Sequence, residues 1–75
     1  SGDKQEALRI WELNAKRYGN EWPVNVGLAR GYSAVGRYKD ALKHAKLALA
    51  QAPDETNRKS LEAGIKKLEA GQDWN

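Results

Sequence analysis

Apolar residues recur along this chain at intervals of three and four, with polar residues between them, and nowhere alternate with period two over a strand's length. Such spacing gathers the apolar positions into stripes on helical surfaces and predicts an all-α domain. The first stripe, over residues 4–18, carries Leu8, Trp11 and Ala15, widened by Ala7, Ile10, Asn14 and Tyr18. Asp3 is placed to cap that helix, Glu6 falls at the capping-box position and Gly19 ends it. A second helix is predicted from Pro23 to about Val35 through Leu28, Ala29 and Tyr32, since proline is tolerated in a first turn, and Gly36 breaks it. The third runs from Tyr38 to Ala52, with Ala41, Leu42, Ala45, Ala48 and Leu49 on one side, and Pro53 forbids its continuation. The last starts after the cap residue Asp54 and keeps its stripe through Leu61, Ile65 and Leu68 before Gly71, with Glu62 and Lys66 paired on its polar side. Connections this short force consecutive helices to lie antiparallel. Residues 72–75 form a polar tail that frays unless Trp74 folds back on the last helix.

The chain has 75 residues, which makes residues 3–71 one small domain with little core to spare. It contains no cysteine, so no disulfide or thiolate site staples it and its stability must come from packing. Ser1-Gly2 reads as a protease-cleavage scar, and the chain is expected to be a piece of something longer. No apolar run approaches the roughly 18 residues of a membrane span.

Net charge is +3, and the excess lies between residues 22 and 53, where five basic residues face Asp40 alone. Lys39, Lys43 and Lys46 form a stripe opposite the apolar side of the third helix. A solvated face is the ordinary meaning of such a stripe, and no aromatic is interleaved to stack bases, so nucleic-acid binding is the weaker reading. His44 is the only histidine and is read as a solvated or interface side chain. Carboxylates stand singly, and Asp54-Glu55 suit a helix start. These residues supply no nucleophile and base, no metal ligand set and no phosphate loop, so the expectation is a non-enzyme without cofactor or metal. Gly27, Gly31 and Ala34 lay a smooth strip along the second helix, a costly choice at about 1 kcal/mol per glycine. Either the first helix packs there through Trp11 or Tyr18, or a ligand chain does.

Residues 22–55 resemble one tetratricopeptide repeat (TPR), a helix-turn-helix unit of about 34 residues. Leu28, Ala29 and Tyr32 fit its first helix, Gly36 its turn, Tyr38 the aromatic that follows, and Ala41, Ala48 and Pro53 its small residues and closing proline. Asn25 stands where the family often has Trp, and Ala45 where it has a large aromatic, so something else must fill that packing. One period earlier, Ala7, Trp11, Asn14 and Gly19 map onto Ala41, Ala45, Ala48 and Pro53, which makes the first helix similar to the second half of a preceding repeat. Leu61 and Ile65 match Leu28 and Tyr32 one residue short of the period, so residues 56–71 resemble a terminal capping helix. More loosely, the run "GLARGY" with "GRYKDAL" and a closing "DWN" is similar to the C-terminal tail of a family of uncharacterised exported bacterial proteins.

The TPR resemblance implies an antiparallel four-helix array of half a repeat, one full repeat and a cap. It also implies a concave peptide groove lined by Pro23, Val26, Arg30, Ser33 and Lys59, joined by Ala63 and Lys66. Arg30 and Lys59 there suit an acidic group or a carboxylate. Val26, Gly27 and Arg30 do not supply the asparagines of the family's carboxylate clamp, so specificity for chaperone tails is not implied. The expected role is a non-catalytic interaction or assembly module whose partner is a protein or peptide segment. The alternative is a structural appendage that docks on its parent's own domain, or forms a weak homodimer, through Leu8, Ile10 or Leu13 of the first helix.

Overall fold

A computed structural model of the chain describes residues 2–75 and contains four helices: α1 (Gly2–Tyr18), α2 (Trp22–Ala34), α3 (Tyr38–Gln51) and α4 (Glu55–Glu69). Ser1 of the expected scar lies outside the described residues, and Gly2 already belongs to α1. Because α1 begins that early, Asp3 sits in its first turn and is not its cap. Glu6 likewise does not close a capping box; its carboxylate pairs with Arg9 one turn on. Asp54 does cap α4, accepting the Asn57 N–H at 2.8 Å.

Three-residue connections at 19–21, 35–37 and 52–54 turn the chain at each corner. The α2–α3 corner is a Schellman closure: Gly36 has φ +83°, its N–H reaches the Ser33 carbonyl at 3.0 Å, and the Arg37 N–H reaches that of Tyr32 at 2.9 Å. A side chain at position 36 would oppose this left-handed conformation.

Each helix packs chiefly on its neighbours in the chain, α1 on α2, α2 on α3, and α3 on α4, within principal extents of 32 × 29 × 17 Å. α3 is the central plank. Its Ala41, Ala45 and Ala48 are fully buried and present nothing beyond a β-carbon, so α2 and α4 both come close to it. One apolar cluster joins these alanines to Ala29, Leu61, Leu68 and Trp74; a second joins Leu8, Val24 and Leu28 on the α1 side.

The smooth strip of α2 receives α1. A β-carbon on Gly27 would lie 2.2 Å from the Trp11 ring, and one on Gly31 would lie 3.1 Å from Cδ1 of Leu8. Tyr18, expected as an alternative filler, is instead exposed. Leu8 was expected among the exposed residues of α1 and is buried, whereas Ile10 and Leu13 are about half exposed (50% and 51%).

Candidate functional site

α4 ends in a second Schellman closure, in which Gly71 (φ +74°) gives its N–H to the Leu68 carbonyl at 3.0 Å and Gln72 gives its own to Lys67 at 2.9 Å. That reversal sends residues 73–75 back across the gap between α4 and α2. The tail does not fray. Trp74 is 8% exposed, with its indole laid on Gly64 of α4, where a β-carbon would come within 2.3 Å of Cε2. Gly64 interrupts the apolar stripe of α4 between Leu61 and Leu68, and the indole fills the space it leaves.

The opposite wall of the cleft is α2. Ser33, 1% exposed, donates its hydroxyl to Oδ1 of Asp73 at 2.6 Å and accepts the backbone N–H of Trp74 at 2.8 Å. The Arg30 guanidinium lies 4.1 Å from the centroid of the Trp74 ring, a cation–π distance, and donates to Oδ1 of Asn75 at 3.3 Å. The Asn75 amide nitrogen donates in turn to the Arg30 carbonyl at 3.0 Å. Asp73 folds the segment on itself, with Oδ1 accepting both the backbone and the side-chain N–H of Asn75 at 3.0 Å. The Ser33 hydroxyl first, and then the Asn75 backbone, hold the Asp73 carboxyl below its ordinary range, because each donor favours the ionised form.

Of the groove residues expected from the sequence, the structure brings Arg30 and Ser33 together on the tail. Val26 is half-buried against the core cluster. Pro23 and Lys59 are exposed and stand outside this hydrogen-bonded set. Asp73 and Asn75 enter the sequence reading only through the closing "DWN" run, and Gly64 not at all. Their signal was weak but present: a glycine within an apolar stripe, and a lone tryptophan beyond a helix-ending glycine.

No protein family, no curated protein and no solved structure matches this chain.

A second polar constellation joins the α1–α2 corner to α3. Asn25, 2% exposed, donates one N–H to Asn20 Oδ1 at 2.6 Å and the other to Gln51 Oε1 at 2.9 Å. Both donors being used, its Oδ1 is left to accept from Nδ1 of His44 at 3.0 Å, which requires that nitrogen to carry the proton. Gln51 closes the ring by donating to the Asn20 carbonyl at 2.8 Å. His44 is thus half-buried and held by a hydrogen bond, not freely solvated. Its ring stacks on Tyr32, with centroids 5.5 Å apart and planes 18° from parallel. Burial first, and the nearby Lys43 charge second, push its pKa below the ordinary histidine value, with Asp40 opposing.

Asn20, Asn25, Leu28, Lys43, His44 and Leu47 line a shallow depression of about 300 Å³ beside this network. Among the described residues no three His, Asp or Glu side chains gather as a metal ligand set, and no helix is long and apolar enough to cross a membrane. Lys39, Lys43 and Lys46 are exposed on α3.

Proposed function

We propose that this chain is a non-catalytic module that binds a protein or peptide segment, in the manner of a TPR-like array of half a repeat, one repeat and a capping helix. One observation carries the reading: the cleft between α2 and α4 holds the non-helical segment 73–75 through both side-chain and backbone hydrogen bonds, at Ser33, the Arg30 guanidinium and the Arg30 carbonyl. Packing of each helix on its chain neighbours supports the same reading, since repeat arrays are stabilised by interfaces between successive units. Titration of peptide pools into isotope-labelled protein tests it. Saturable shifts on α2 and α4 are the expected result, and shifts confined to α3 would count against it.

Exposed Ile10, Leu13 and Tyr18 favour a second reading, a structural appendage whose α1 docks on another domain or on a second copy. Sedimentation over a wide concentration range separates the two forms of docking. A strict monomer removes self-association and leaves the parent domain.

A further inference from the structure

We infer that the α2–α4 cleft is a recognition site for a short segment in which an acidic residue immediately precedes an aromatic one, and that residues 73–75 are a built-in occupant such a partner must displace. The inference rests on reading the chain as an interaction module and names what that module selects.

The cleft specifies its occupant at each position. Gly64 leaves a slot on α4 that admits a flat ring and closes if a β-carbon is added. Arg30 lies over that ring from the other side of the cleft and rewards an aromatic over an aliphatic residue. Ser33, buried and facing the slot, offers one donor and one acceptor; Asp73 takes the first and the N–H of the next residue takes the second. A carboxylate directly before the ring is therefore the side chain that answers Ser33, through a charge-assisted hydrogen bond. The Arg30 carbonyl adds a place for a donor after the ring, filled here by the Asn75 amide.

Residues 73–75 have no helical or sheet hydrogen bonds of their own and meet α2 through these groups, as a bound ligand would. Gly71, with its positive φ, is the turn at which the chain leaves the α4 helix and folds back. A tethered occupant competes at an effective concentration in the millimolar range, so the intact tail masks the site from weak partners.

The test uses the full chain carrying Asp73→Ala and Trp74→Ala, and a fluorescein-labelled peptide Gln-Asp-Trp-Asn with both ends blocked, read by anisotropy. The variant is expected to bind the peptide saturably, and the unmutated chain to bind it at least about tenfold more weakly. Replacing the peptide's Asp by Ala, or adding Ser33→Ala to the variant, should lower affinity about tenfold, the loss of one charge-assisted hydrogen bond. A variant that melts cooperatively yet shows no binding at millimolar peptide overturns the inference. If the variant does not fold, the unmutated chain decides: millimolar peptide must shift the Ser33 and Gly64 amides and the Trp74 indole together, and unmoved resonances overturn it. Binding of other peptides on α1 only would sink this assignment while leaving the interaction role standing. Binding of the tail peptide by the variant, with the unmutated chain indifferent to every pool, would uphold the cleft and remove the wider role.

Discussion

Gly64 and Trp74 form a fitted pair: the indole lies so close to the helix that a β-carbon on Gly64 would sit 2.3 Å from Cε2 and 2.5 Å from Nε1. A glycine inside α4 costs about 1 kcal/mol relative to alanine, and burial of the tryptophan offsets that cost. Gly64→Ala should therefore expel the tail despite its better helix propensity. Trp74→Ala is expected to cost about 3 kcal/mol, near the lower end for a buried tryptophan, because the site lies at the edge of the core. Urea titration measures both. If the Gly64→Ala variant proved more stable than the parent, with the Trp74 indole resonance unmoved, the pairing would carry no weight.

Gly27 and Gly31 occupy the same strip of α2 and should respond differently to the same change. A β-carbon at 27 meets the Trp11 ring at 2.2 Å, and that ring is held between helices; Gly27→Ala should cost about 1–3 kcal/mol through overpacking. At 31 the nearest atom is the end of the Leu8 side chain at 3.1 Å, which moves by a small rotation. Gly31→Ala is expected to lie within about 1 kcal/mol of neutral, as helix propensity and the shift of Leu8 oppose each other. Thermal melts of the two variants side by side decide the contrast.

The Asp73 carboxyl ionises more readily in the folded chain than at its ordinary value of 3.8, because Ser33 and Asn75 donate to it. A folded-state pKa lowered in this way contributes stability that is present above the unfolded value and is lost as pH falls through the folded one. Tail docking should thus weaken on acidification below about pH 4, with the Trp74 indole reporting the release. Asp73→Asn should remove that acid dependence, and an unchanged acid limb in the variant would assign it to other carboxylates.

His44 titrates with the same sign from a different cause. Its pKa is pushed below 6.5 by burial and by Lys43, so the unfolded chain takes up the proton before the folded one does. Stability is then fully present above about pH 6.5 and falls as pH drops below that value. His44→Gln, which keeps a donor for Asn25, should flatten the slope between pH 7 and pH 5. Asn25→Ala should cost about 1–3 kcal/mol at any pH in that range, since the amide links α1–α2 to α3 through Asn20, Gln51 and His44. Chemical denaturation at several pH values measures both effects.

Ile10 and Leu13 offer the control. Both are about half exposed, so replacing them with lysine should leave monomer stability within about 0.5 kcal/mol. Any loss of a sedimenting dimer in the double variant would then come from contacts between chains.

The number, type and ends of the helices were legible in the sequence because they rest on local rules. The apolar period of three to four, Pro53 after α3, Asp54 before α4, and the glycines at 36 and 71 act over a few residues and need no distant partner. The start of α1 was misjudged because Asp3 satisfies the pattern of a cap while also suiting a first turn, where its charge is equally favoured.

What meets what across the fold was decided by tertiary packing. Trp11 and Tyr18 both lie on the wide stripe of α1, and only the approach of α2 selects Trp11 and leaves Tyr18 in solvent. Asn25, where a large aromatic was expected, is satisfied by Asn20, Gln51 and His44, partners drawn from separate parts of the chain. The TPR resemblance implies Arg30 and Ser33 as part of an open groove. Asp73, Trp74 and Asn75 reach them across more than a third of the chain, a placement set by the turn at Gly71 and the slot at Gly64 acting together. Local patterns encode helices because helical hydrogen bonds span four residues; the cleft and its occupant depend on side chains that meet only after those helices have packed.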